Sequence, residues 1–376
     1  MRLRLFVISI AAVLTQFPVL AQQPQTPAPT QQTTPAAAGP APQAAPTSAP
    51  ADDPRKIVLD VVVAPKSGPA VGGLAQTDFT VLDNGAPQTL TSFRALNGRD
   101  ETVETLIIID GLNTTQEHVS YAREELGKFL KSEGGVLAHP MALALLTEKG
   151  LQGLGPLSSD GNVLVAQLEK ADVQLRALTR STGFYGAEQR NEISVRTLGG
   201  LAHNEIARPG RKMVIVLSPG WALLSGAGVQ LDNKVEQSIL NTIVQLNTDL
   251  RLARITLYAV DPLGTADAGE HSVYYKNFLK GVTKLSDVHV GDLGLQVLAE
   301  QSGGLALTES NDVAGEIRRC LADAANYYQV SYDAPAAAPN AKAKPGEPEF
   351  HKIEVKLATN GDTARTRMGY YIPTAQ

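Results

Sequence analysis

Cysteine is nearly missing from this 376-residue chain. Cys320 stands alone, so no internal disulfide can form and the fold must be held by its core. In the helix-like stretch "IRRCLADAANYY" the thiol reads as a small buried hydrophobe. Tryptophan is as scarce, with Trp221 the single copy. Basic charge is not in excess: 33 Lys and Arg stand against 38 Asp and Glu, for a net charge of −5. That balance argues against nucleic acid as a partner. The first apolar run, Leu5 to Leu14, is too short to span a membrane. Catalytic signatures are missing as well. The histidines, His118, His139, His203, His271, His289 and His351, show no His-Glu-x-x-His spacing. No Gly-x-Ser-x-Gly elbow follows a strand, and "GLQGLGPL" lacks the Gly-x-Gly-x-x-Gly phosphate-binding spacing. The expectation is a protein that is not an enzyme.

What is present first is an export signal. A basic start at Met1–Arg4, the apolar run and "VLA" ending at Ala21 form a signal peptide over residues 1–21. Its cleavage would remove Arg2 and Arg4, taking the charge from −5 to −7 and leaving no transmembrane anchor. Residues 22–54 are almost entirely Ala, Pro, Gln and Thr, a composition that cannot bury enough apolar surface to offset ordering entropy. The expectation is a disordered tether on an extracytoplasmic protein, periplasmic or secreted.

The rest divides by periodicity. Residues 55–98 read as β: "KIVLDVVVAP" is rich in β-branched residues, and "DFTVLDNGAPQTLTSF" alternates around Asn84-Gly85, a hairpin signal. Residues 326–376 repeat that style in "NYYQVSYDA", "FHKIEVKLA" and "TARTRMGYYIP". Short alternating strands at both ends predict that the flanks meet in one antiparallel sheet or sandwich. Residues 99–325 differ. Apolar strands "ETLIIID", "MALALLT", "KMVIVLS" and "ITLYAVD" alternate with helical stretches over 116–131, 162–180, 192–207 and 233–253. Near-continuous apolar strands between amphipathic helices predict a parallel sheet covered on both faces. Such sheets bind ligands outside the carboxyl ends of their strands, where Asp110, Thr147, Ser218 and Asp261 would gather.

Taken in order, "VGGLAQTDFTVLDNGAPQTLTSF", "IIIDGLNTT", "PGRKMVIVLSPGW", "RITLYAVDPLG", "LAEQSGGLAL" and "FHKIEVKLA…RTRMGYYIP" resemble the von Willebrand factor A-related proteins secreted by bacteria. The resemblance implies a Rossmann-like α/β von Willebrand A fold with β flanks, in an exported protein. It also implies a Mg²⁺ site built from an Asp-x-Ser-x-Ser motif, a second-loop Thr and a third-loop Asp. Asp110 matches the first Asp and Thr114 the last hydroxyl, and Thr182 is the candidate second-loop Thr. Leu112 replaces the middle Ser, and Ser218-Pro219-Gly220 replaces Thr-Asp-Gly, so one carboxylate is missing. Mg²⁺ prefers near-octahedral oxygen ligation with one or two carboxylates. The ligand set Asp110, Thr114 and Thr182 is therefore expected to hold Mg²⁺ or another divalent cation weakly, or only with help from a partner.

Other readings stand beside that one. Asp110 and Asn113 could instead cap the helix predicted from Gln116. Asp261 in "VDPLG" could add a carboxylate, or simply make a turn. Trp221 could plug the top of the sheet or anchor a partner. The binding rim expected is Asp110, Asn113, Thr114, Thr182, Ser218, Trp221 and Asp261, presented to an unidentified protein or cell-surface polymer as an adhesion-type module. The competing expectation is a structural or assembly subunit of the envelope that makes contact through its β segments.

Overall fold

The computed structural model describes residues 55–65, 68–98, 100–171, 183–221, 231–262, 264, 273–335, 348–358 and 361–372. The segments expected to be signal peptide and tether, and Thr182, lie outside the described residues.

The flanks build a sandwich, and alternation along the strands is the reason. In β1 (Lys56–Pro65), Ile57, Leu59, Val61 and Val63 are all buried on one face. The same pattern recurs in β2 (Phe79–Asp83), which turns at Asn84-Gly85 into the short β3 (Ala86–Pro87). Both turn residues have positive φ, 48° and 82°, as a two-residue hairpin of the primed kind requires. β4 (Ser92–Asn97) completes the N-terminal flank.

The central layer then begins. β5 (Glu104–Asp110) leads into α1 (Gln116–Lys131), β6 (Val136–Thr147), β7 (Gly150–Gly153), β8 (Ser158–Asp160) and α2 (Gly161–Lys170). α3 (Gly183–Glu205), β9 (Lys212–Leu217), α4 (Asn233–Leu252) and β10 (Ile255–Val260) follow. α5 (Leu295–Gln301), β11 (Ala306–Leu307) and α6 (Val313–Leu321) close it. The C-terminal flank supplies β12 (Asn326–Asp333), β13 (Glu349–Leu357), β14 (Asp362–Arg365) and β15 (Gly369–Ile372).

The sandwich sheets have strand orders β14-β1-β12-β4 and β15-β13-β2-β3, so each combines strands from both ends of the chain. Ile57, Leu59, Val61, Val81, Val330, Ile353 and Tyr370 fill the space between them. The central sheet runs β11-β10-β9-β5-β6-β7, parallel except for the edge. β7 and β8 pair antiparallel with β6, a departure from an all-parallel sheet. Every residue of β9 and β10 is buried, which is why those strands read as unbroken apolar runs. Helices α1, α2 and α6 cover one face through Leu126, Phe129, Leu164, Leu168 and Ile317. Helices α3, α4 and α5 cover the other through Ile193, Leu198, Ile239, Ile243 and Leu298. Each such aliphatic side chain contributes about 1.5–3 kcal/mol by leaving water.

From β5 the chain steps one way to β6 and later the other way to β9. Strand order therefore reverses between β5 and β9, and helices leave the sheet in opposite directions there.

Candidate functional site

Register brings the rim residues to one level. Ile109 lies opposite Leu217 and Asp110 opposite Leu146, while Leu217, Val260 and Leu307 align across β9, β10 and β11. Asp110, Ser218 and Asp261 therefore emerge side by side at the carboxyl ends of three adjacent strands. Ser218 N–H donates to Val260 O and Asp261 N–H to Leu307 O, each at 2.9 Å, which extends the ladder to these residues.

Asp110 is fully buried, and its carboxylate is crowded with donors. Oδ1 accepts the backbone N–H of Leu112 and of Asn113, both at 2.9 Å. Oδ2 accepts the Asn113 side-chain amide at 2.9 Å and the Ser218 hydroxyl at 2.7 Å. The same Asn113 amide donates to Ser194 Oγ of α3 at 2.9 Å. One carboxylate thus ties the β5–α1 loop to the loop after β9, and through Asn113 to α3. Burial pushes the Asp110 carboxyl above its ordinary value; the Ser218, Asn113 and Leu112 hydrogen bonds oppose the shift without cancelling it.

Helix α1 starts at Gln116 as the sequence predicts, but its cap is neither Asp110 nor Asn113. Thr115 has extended backbone, φ −72° and ψ 157°, and its Oγ1 accepts His118 N–H. Asp110 cannot serve because its oxygens are already taken two and three residues further on, in the turn that precedes the helix. Asn113 cannot serve because its amide points back to Asp110 and across to Ser194.

Trp221 is buried in the apolar cluster that holds Leu112, Ile108 and Val216, so it plugs the sheet and offers no anchor to a partner. Its indole nitrogen has no hydrogen-bond partner among the described residues. Asp261 is buried at the strand end. Thr147 serves the β6–β7 hairpin: its hydroxyl donates to Gly150 O at 3.2 Å and accepts Lys149 N–H at 3.1 Å. Thr114 is buried too, and its hydroxyl has no hydrogen-bond partner among the described residues. Sequence reasoning missed Ser194, which lies in a helix 81 residues from Asn113 and carries no local motif.

The described part of the matched ligand set, Asp110 and Thr114, is a poor fit for a divalent cation, and Thr182 lies outside the described residues. Asp110 brings the single negative charge of the matched motif, and both its oxygens accept N–H or O–H groups that an ion would have to displace. Leu112, at the position of the middle hydroxyl, is completely buried in the apolar core. Among the described residues no group of three or more His, Cys, Asp or Glu is arranged to hold a metal. Ser218 is completely buried, and its hydroxyl is spent on Asp110 and on the Gly220 N–H at 3.1 Å.

No family model and no curated protein sequence matches the chain. Solved structures overlap it in part. The PilB minor pilin from Streptococcus sanguinis is 8% identical at a TM-score of 0.31, over 60% of this chain and 62% of that one, so this chain spans less than two thirds of the pilin. Manganese-loaded TRAP from Plasmodium vivax is 11% identical at 0.31, over 75% and 98%. The SpRpn10 VWA domain is 11% identical at 0.28, over 57% and 95%. These are partial overlaps at low TM-score. The mostly parallel, doubly covered sheet, with antiparallel sheets beside it, is the α/β layout that the sequence led us to expect.

Proposed function

We propose that this chain is an exported, non-enzymatic binding module of adhesion type. Its contact with a protein or surface polymer is made by loops at the carboxyl rim of the central sheet, and the Asp110 network is the frame that sets those loops. The observation that carries this reading is the position of Asp110. It sits at the point where strand order reverses, the ligand-binding position of open α/β sheets, and binds both flanking loops at once. The buried rim side chains position the contact and do not form it, and no resident cation takes part.

The test is capture of a partner from envelope extract by the full chain. Asp110→Ala should lose capture while circular dichroism shows the fold retained, and chelator should leave wild-type capture unchanged. Capture that survives Asp110→Ala but is lost in Arg94→Glu, on edge strand β4, would instead favour a structural subunit that assembles through its sandwich. A saturable heat on titration with Mg²⁺ or Mn²⁺ would refute the metal-free part.

A further inference from the structure

Strand β4 ends its sheet: it pairs with β12 and has no strand on its other side among the described residues. Gly98, one residue past the strand, donates its N–H to Ala325 O at 2.9 Å and continues the register of Asn97 with Asn326. Backbone groups alternate in direction along an antiparallel strand, so Leu96, Arg94 and Ser92 turn theirs toward β12. Phe93 and Ala95 turn theirs outward. Asn97 faces outward too, but its N–H is taken by Asp100 Oδ2 at 3.0 Å. Between Ser92 and Leu96 the edge therefore offers two N–H donors and two C=O acceptors. Ser92, Arg94 and Ala95 are exposed, which leaves the stretch open to solvent.

The side chains of the edge say what it fits. Arg94 stands at the centre, and the hydrogen bond it makes is with a neutral group, Nη1 donating to Gln329 Oε1 at 3.3 Å. On the opposite face the half-buried Phe93 ring packs against Phe79 and Tyr328, with centroids 5.5 and 5.9 Å away, and Ala95 shares that face. A second copy is a poor occupant. Antiparallel pairing that sets Phe93 against Ala95 of another chain puts Arg94 directly opposite Arg94, and like charges there are destabilising. Residues 22–54 of this chain are equally unsuited, because proline recurs throughout them and donates no ladder bond. A strand that alternates apolar and acidic residues meets every requirement. It sets a carboxylate opposite Arg94 and apolar side chains opposite Phe93 and Ala95, while its backbone completes the ladder.

We propose that the outer edge of β4 binds, by strand addition, an extended segment of a partner protein that runs apolar–acidic–apolar. This contact is separate from the carboxyl rim and does not depend on what the rim binds.

Fluorescence anisotropy of labelled, end-capped synthetic peptides with the full chain tests it. The probe is Thr-Val-Glu-Val-Thr, and the control carries Lys in place of Glu. Saturable binding of the Glu peptide is expected, several-fold tighter than that of the Lys peptide. Ala95→Pro deletes an outward N–H that no ladder bond uses, so it should abolish binding and leave the denaturation midpoint near wild type. Arg94→Glu should reverse the preference between the two peptides. No saturable binding at millimolar Glu peptide, equal affinity for both peptides, or binding that survives Ala95→Pro would overturn the proposal. A dimer of the full chain that Ala95→Pro dissolves would overturn it too, because the edge would then belong to a second copy.

Discussion

Thr114 and Asp110 illustrate opposite ways for a buried polar group to be treated. Asp110 has more donors than it needs, whereas the Thr114 hydroxyl has no partner among the described residues. An orphaned buried hydroxyl costs free energy, so Thr114→Val, of nearly the same shape, should leave stability unchanged or raise it by up to about 1 kcal/mol. Chemical denaturation measures this; a clear loss would mean that the hydroxyl has a partner in solution. Removing the Asp110 side chain is different, because several buried donors would lose their acceptor. Asp110→Ala should cost at least about 2 kcal/mol. Asp110→Asn retains an acceptor for the Leu112 and Asn113 N–H groups and deletes the charge. Since burial raises the Asp110 carboxyl, its contribution to stability is complete below the unfolded value of 3.8 and is lost as pH rises through the raised one. The Asn variant should therefore gain on wild type as pH rises above about 4, read from urea midpoints. A variant that loses ground there would contradict the assignment. At this scale Leu112 and Pro219 were legible as departures from a metal site. The Thr115 cap was not, because three adjacent polar residues compete for the role and only the turn geometry excludes Asn113.

Among elements, the tightest fit is the turn from α5 to β11. Ser302 Oγ accepts Leu257 N–H at 2.8 Å, and Gly303 takes φ +92°, which favours glycine. A Cβ on Gly304 would stand 1.8 Å from Leu257 O, a contact that neither backbone can relieve without shifting the β10 ladder. Gly304→Ala is expected to cost about 1–3 kcal/mol, seen as a lower denaturation midpoint with an unchanged slope. A neutral result would mean that the turn moves freely. Which glycine of "QSGG" presses against β10 was not legible, since that depends on a strand some 45 residues earlier in the chain. β7 also escaped notice. "GLQG" is short, glycine-rich and only half buried, so it lacks the alternation that reveals β1 or β13.

Across the whole molecule, sandwich and α/β layer are joined by polar contacts as well as apolar ones. Asp323 accepts Tyr258 OH at 2.8 Å and Arg365 Nη2 at 2.5 Å, while its carbonyl accepts Arg211 Nη1 at 2.9 Å. Arg211 lies 4.5 Å over the Tyr327 ring, and Tyr327 OH reaches Glu101, the partner of Arg254. Inside the sandwich, Asp83 accepts His351 Nδ1 at 2.6 Å, Tyr370 OH at 2.6 Å and Tyr332 OH at 3.0 Å. Burial works to raise the Asp83 carboxyl, but the His351, Tyr370 and Tyr332 bonds outweigh it and hold it below 3.8. Its stabilisation is present above that value and disappears as pH falls through the lower folded one. Wild type should thus lose more stability than Asp83→Asn on acidification below about pH 4, measured by denaturant midpoints. An equal loss in both proteins would remove Asp83 from the account.

The sequence by itself determined the periodicities: alternating strands at the two ends, unbroken apolar strands and amphipathic helices between them, a turn at Asn84-Gly85 and a carboxylate at the end of β5. Those follow from neighbouring residues, because side-chain direction repeats every two residues in a strand and every 3.6 in a helix. Only the tertiary structure decided that Trp221 turns inward, that Asn113 reaches Ser194, and that Thr366 donates to Asp60 O across a seam of segments more than 300 residues apart. Such pairings depend on how layers pack, and burial converts an ordinary charge or hydroxyl into one that needs a partner.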